Sequence, residues 1–419
     1  MKYLSLDRSE DRRPGYQQLI KEKNIKRVFD LVRGGRCASR AELVRAMHLS
    51  ATTISALVEE LVGEGLLLET GPTLTSLPGR RPMSLRLNAA GRQLAAFSLS
   101  RRGAHFTLMD LSCRTLESFF VEHPVGENEP MDSGEEYARL FEDVLLHRSQ
   151  LFDRERAIMV GVCFPGIRIE EEQAFSVRTA MSISFSEASM RVLEQRLGVP
   201  MFLGNVSMCL AYAEKKNLDA LTDGTEETRD LIFINVCDGV GAGIISEGAI
   251  LTGPYNTAGE FGHFSVDMNG PPCTCGNRGC LEQYVNLNAI LRSAAEACAH
   301  SGVPAPQTFA ELAERAPGLD AVRGVLEATA DRLALGIYTL MCVTGIRRVV
   351  LGGGIELLGP DFLQMVSERV RSRTLLTRHM RMSYARSGPD GESVGIAQYF
   401  LDKAYTITSP RRQMAKTGV

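Results

Sequence analysis

The chain contains no tryptophan, and aromatic residues make up only 6% of its 419 positions. Recognition or catalysis that rests on an indole is therefore excluded. No apolar run approaches the roughly 18 residues that a membrane-spanning helix requires. The first residues, MKYLSLDRSEDRRPGYQQ, lack the apolar core of a secretory leader. No G-x-G-x-x-G runs from an opening strand into a helix, which argues against a dinucleotide-binding unit. Nor is there a strong charge of one sign, the formal net charge being −3. These absences predict a cytoplasmic globular protein that does not engage a membrane.

Hydrophobic residues reach 44% and charged residues 23%, and the length implies two or three domains. Charge is uneven along the chain. Residues 1–90 hold 15 Lys and Arg against 10 Asp and Glu, a net of +5, which leaves −8 for the remainder. A basic head on an acidic body points to a head that meets polyanions.

The densest chemical signal is GEFGHFSVDMNGPPCTCGNRGCLEQY, in which His263, Cys273, Cys275 and Cys280 are spaced H-x9-C-x-C-x4-C. One imidazole and three thiols within eighteen residues match a closed structural Zn2+ site. Gly276 and Gly279 allow the chain to turn back on itself. Free thiols in a turn are the alternative. A disulfide is disfavoured, because Cys273 and Cys275 are too close to pair and three thiols leave one over. Metal closure would bring Glu260 and Glu282 to one point, where they can accept hydrogen bonds from a polyhydroxyl ligand; otherwise both are ordinary surface carboxylates.

Near the N-terminus the pattern is helix, helix, turn, helix. Ile25, Val28, Phe29 and Val32 share one helical stripe. Ser39 and Glu42 form a capping-box pattern ahead of a second helix, and Ser50 caps a third with Ile54, Leu57, Val58 and Leu61 on its inner stripe. This is a helix-turn-helix, followed by a wing hairpin in TLTSLPGRRPMSLRLN. Candidate DNA contacts are Ser39, Arg40, Ser50, Thr52, Thr53, Ser55, and Arg80 and Arg81 at the wing. Two such helices must meet half-sites about one DNA turn apart, which implies a homodimer or a dimer of dimers on double-stranded operator DNA.

From Gln93 onward, apolar strands such as LAAFSLS, AIMVGVCFPG and LIFINVCDGVGAGIIS alternate with helical patterns, an α/β body with two lobes. The strings AGEFGH and CTCGNRGCLEQY, with SRAELVRAMHLSATTISALVEELVGEGLLLETG and GRRP ahead of them, resemble the ROK family of bacterial sugar kinases and sugar-responsive repressors. The resemblance implies a winged helix-turn-helix with its linker over residues 1–90. It implies a ribonuclease-H-like, actin/hexokinase-type body over 91–419. Lobe one would span about 91–205 plus the C-terminal helix, lobe two about 206–385, and the zinc loop 260–282. Carried over residue by residue, it assigns the metal to His263, Cys273, Cys275 and Cys280, and a sugar to Asn205, Glu260, His263 and Glu282.

The resemblance also exposes what a kinase would need. Where the kinases have D-x-G-G-T, this chain reads SLSRRGAH from Ser98, with Arg101 and Arg102 in place of the paired glycines. Where they carry the proton-accepting Asp of G-N-D-A, it has Val206 after Gly204 and Asn205. Valine has no lone pair to accept a proton, and Asp238 faces the second phosphate turn with like charge. The expectation is no catalytic residue and a DNA-binding transcriptional regulator of the repressor type, responsive to a sugar or sugar phosphate and nucleoid-associated when DNA-bound; the alternative is an ATP-dependent sugar kinase with an added head.

Overall fold

The computed structural model describes residues 16–72, 83–100, 103–122, 134–171, 174–178, 184–222, 228–253, 257–373 and 378–405. The head is built from α1 (Tyr16–Arg33), α2 (Arg40–Met47) and α3 (Ala51–Gly63), with strands β1 (Leu67–Pro72) and β2 (Met83–Leu87). The expected stripes are the buried ones: Ile25, Val28, Phe29, Ile54, Val58 and Leu61 are at most 1% exposed. Ser39 Oγ accepts the Glu42 N–H, and Ser50 Oγ accepts the Thr53 N–H, so both caps form. The reciprocal half of the first cap differs from the expected box. The Glu42 carboxylate accepts the N–H of Ala38, one residue before the cap.

The wing also differs in its pairing. Its first strand is LLETGP, which lies against MSLRL with Leu67 opposite Leu87 and Glu69 opposite Leu85. Among the described residues, the later segment supplies the second strand. Residues 73–82, which include Arg80 and Arg81, lie outside the described residues.

The body carries two five-stranded sheets. The first, in the order β10-β6-β3-β4-β5, uses β3 (Gln93–Ser100), β4 (Gly103–Asp110), β5 (Thr115–Glu122), β6 (Ala157–Phe164) and β10 (Met201–Asn205). A small sheet of β7 (Ile167–Glu171), β8 (Ala174–Arg178) and β9 (Ser184–Ser186) adjoins it, with α4 (Gly134–Asp143) and α5 (Glu187–Leu197). The helix α6 (Val206–Leu221) then leads to the second large sheet. That sheet, in the order β13-β12-β11-β14-β15, uses β11 (Leu231–Val236), β12 (Val240–Ser246), β13 (Ala249–Ile250), β14 (Arg348–Gly352) and β15 (Arg381–Tyr384). Helices α7 (Glu282–Val285), α8 (Leu287–His300), α9 (Phe309–Arg315), α10 (Asp320–Thr344) and α11 (Gly359–Arg371) accompany it, and α12 (Gly391–Tyr399) returns to the first sheet. Strands reading LIFINV and RVVLG are almost wholly apolar because they pair in parallel with both faces covered. No helix among the described residues is long and apolar enough to cross a membrane.

Three apolar cores result. One fills lobe two between its sheet and α8, α10 and α11. Another fills the α4–α5 side of the first sheet. The third is continuous from the head, through Phe29 and Leu43, to Leu94, Tyr212, Phe400 and Leu401 of the body. The head is therefore packed onto the body by α1 as well as joined to it through residues 70–92.

Candidate functional site

The 260–282 segment folds into a tight loop by its own backbone. Val266 N–H donates to Gly279 O, Leu281 N–H to Phe264 O, and Cys273 N–H to Asn277 O. Gly279 sits at φ +59°, and a Cβ there would lie 1.7 Å from Asp267 O, so only glycine fits. This brings His263, Cys273, Cys275 and Cys280 together, with one ligand atom from each within 4.8 Å of the others. Cys275 and Cys280 Sγ lie 3.6 Å apart, and Cys273 Sγ lies 3.7 Å from His263 Nδ1. A tetrahedron with Zn–S bonds of 2.3 Å has edges of about 3.8 Å, close to these two separations, so a small shift of side chains brings the four groups onto zinc. Burial opposes the Cys273 thiolate, yet hydrogen bonds from the Cys275 backbone and the neighbouring thiols and imidazole bring it down to about 7. The set is compatible with a structural zinc held by Nδ1 of His263.

The opposite ring nitrogen points at the candidate ligand site. His263 Nε2 is 3.9 Å from Glu260 Oε2. Burial raises the Glu260 carboxyl most, with His263 lowering it and Glu282 raising it by smaller amounts. Glu282 has a partner that spacing did not reveal: its Oε2 accepts the N–H of Val240 at 2.9 Å, at the start of β12. Asn205 is also engaged. Its Oδ1 caps α6 by accepting the N–H groups of Ser207 and Met208, and its Nδ2 donates to Gly166 O. A ligand there would meet one remaining amide hydrogen.

In the first sheet, Ser98, Cys163 and Gly204 stand level on three neighbouring strands, one step before Asn205. Arg101 and Arg102 lie outside the described residues. Gly103, the one glycine kept from the phosphate turn, packs 2.0 Å from Val121 O as judged by an added Cβ, so strand packing accounts for it. Sequence reading missed Glu392, in the first turn of α12, whose carboxylate accepts the Ser98 hydroxyl. Burial pushes its carboxyl up to about 7 from the ordinary 4.5.

That shift has a pH consequence. Between pH 4.5 and 7 the folded chain holds a proton that the unfolded chain has released, so stability falls as pH rises through that window. At 1.36 kcal/mol per unit the full cost above pH 7 is about 3 kcal/mol. Glu392→Gln should raise the melting midpoint by a few degrees at pH 8 and leave it nearly unchanged at pH 5. Melts followed by circular dichroism check this, and equal midpoints at pH 8 would contradict it.

In the head, Thr52 and Thr53 are exposed on the first turn of α3, beside the Ser50 cap. Ser39 is only 4% exposed and serves as a cap. Arg40 is spent within the head: its guanidinium holds Glu69 at 2.9 and 3.1 Å and reaches the carbonyl of Ser55. Ser55 is half-buried.

A helix-turn-helix head on a two-lobed actin/hexokinase-type body, with a Cys3His loop beside the cleft, defines the class of protein. Residues 143–402 match the ROK family, and the chain belongs to it. A putative xylose repressor of Caldicellulosiruptor sp. (strain Rt8B.4) is 26% identical over 391 residues, covering 89% of this chain and 94% of that protein. The DNA-binding transcriptional repressor Mlc of Escherichia coli (strain K12) is 27% identical over 290 residues, 68% of each chain. Among solved structures, a ROK family transcriptional regulator homologous to E. coli Mlc superposes with a TM-score of 0.76 at 22% identity, covering 91% of this chain and 97% of that one. The ROK hexokinase of Thermus thermophilus gives 0.57 at 24% identity, covering 73% and 96%.

Proposed function

We propose that this chain is a sugar-responsive, DNA-binding transcriptional repressor whose body senses a sugar and does not phosphorylate it. The observation that supports the reading is a combination: Glu260 and His263 lie 3.9 Å apart at the Cys3His loop, Glu282 holds the N–H of Val240 against which Gly262 packs, and Val206 stands where a kinase needs its proton acceptor. The zinc is structural, and it fixes those three groups around the ligand. Relatives named for xylose and for N-acetylglucosamine, together with Mlc, favour a small carbohydrate effector and a regulatory role. The exposed first turn of α3 would enter the major groove, with the protein acting as a cytoplasmic homodimer or dimer of dimers.

A thermal-shift panel of D-xylose, D-glucose, N-acetyl-D-glucosamine and their phosphates tests the sensor. At least one should raise the midpoint, and Glu260→Ala should weaken its binding roughly 10- to 100-fold by removing a charged acceptor of about 1.5–3 kcal/mol. The same sugar should alter retention of a labelled duplex from upstream of the chain's own gene. ADP release that requires both a sugar and Glu260 would establish the kinase reading instead.

A further inference from the structure

The long way from cleft to head is bridged by one helix. Glu282, at the candidate sugar site, holds the N–H of Val240, where β12 begins. One and three residues inward, β12 lies against α6 with no room for side chains. A Cβ on Gly241 would meet Ser207 Oγ at 2.6 Å, and one on Gly243 would meet Ser207 O at 2.2 Å and Ala211 Cβ at 2.5 Å. On its other side α6 is pressed by α12, where a Cβ on Gly395 would lie 1.9 Å from Cys209 O. Packing this close transmits a displacement and does not absorb it. Sixteen residues make α6 roughly 24 Å long.

Beyond the shared apolar core, a carboxylate links α6 to the head. Asp402, in the turn that follows α12, accepts the Tyr212 hydroxyl at 2.5 Å and the Lys216 ammonium at 2.6 Å, both from α6. The same carboxylate pairs with Arg33 of α1, and Arg33 and Asp402 are only 15% and 14% exposed. Arg33 Nε is buried without a partner, so this joint is not fully satisfied. A carboxylate shared between two cations and a phenol has alternatives: it can hold α1 and α6 together, or follow α6 and release α1.

We propose that Asp402 is a positioning residue through which α6 passes the state of the sugar cleft to the DNA-binding head. The proposal rests on the function proposed above and names the regulation of that same site. Sugar that draws Glu282 from Val240 shifts β12 and α6, and the share of Asp402 held by Arg33 changes with it. Such coupling is reciprocal, and it appears as non-additivity between changes at the two ends.

The test uses neither sugar nor DNA, so it is read independently of the functional assignment. Full-length chains carrying Glu282→Ala, Asp402→Asn, or both are compared by amide hydrogen exchange, with zinc content measured for each. Glu282→Ala should change exchange in residues 25–33 by at least about fivefold in the native background and by less than about twofold in the Asp402→Asn background. Amides of α4, which lies in the separate core on the first sheet, serve as the control and should not move. If Asp402→Asn does not fold, Tyr212→Phe removes one donor from the same carboxylate and should reduce the α1 response in the same direction. A response in α1 that is equal in both backgrounds, or absent in the native one, overturns the proposal. Failure of every sugar in the panel would sink the sensor reading while leaving this cycle interpretable.

Discussion

Cys275→Ser should yield a chain that still melts cooperatively but carries less than about a tenth of an equivalent of zinc. Cys275 is exposed, so the exchange removes a ligand without opening a cavity, unlike Cys280, which is fully buried. A hydroxyl does not ionise near neutrality and cannot replace a thiolate on zinc. Structural zinc binding is worth about 10–16 kcal/mol in small peptides, and losing one of four ligands removes a large part of that. Here the loop also has its own hydrogen bonds, and the lobe-two core beneath it is independent of the metal. The loss should therefore be local. Exchange of amides between 263 and 282 should rise by about two orders of magnitude, the sugar response should vanish, and the head should keep its fold. Metal analysis with hydrogen exchange reads all three, and a variant that retains a full equivalent of zinc with an unchanged loop would refute the ligand assignment.

Why the loop was legible and the joint was not comes down to sequence separation. The four metal ligands lie within eighteen residues, and their spacing is itself the geometry. Caps at Ser39 and Ser50 are equally local, since each reaches three residues along its own helix. The inner stripes of α1 and α3 follow from helical periodicity. By contrast, Arg33 and Asp402 are 369 residues apart, and no pattern in either neighbourhood marks the other. Glu282 to Val240 and Ser98 to Glu392 are hidden for the same reason. Arg40 shows the limit from the other side. A cation at the mouth of a helix-turn-helix suggests a phosphate contact, but the wing strand brings Glu69 to it first. The wing itself was assigned to the wrong partner strand because alternation reports a strand and says nothing of its pairing.

Phe29→Ala should unfold the head ahead of the body. Phe29 is fully buried in α1, with the Lys26 ammonium 5.8 Å and the Arg33 guanidinium 5.9 Å from its ring centre. Tyr405 of the body meets it edge-on at 6.1 Å. Truncating such a ring costs about 3–5 kcal/mol, most of it as an unfilled cavity. That is comparable with the whole stability of a small three-helix unit, whereas the body keeps two further cores that Phe29 does not touch. Calorimetry should resolve an early transition for residues 16–87 and a later one shifted by no more than a few degrees, with zinc retained. The folded-to-unfolded ratio of the head should drop by more than about 100-fold for a loss of 3 kcal/mol, so retention of duplex DNA should be lost above the early transition while the body is still folded. The opposite result is informative for a definite reason. Head and body share one continuous apolar core, so a single transition that moves as a whole would mean they unfold together. A joint that rigid could not release α1 at Asp402, and regulation would then have to act by turning the whole protomer on the DNA.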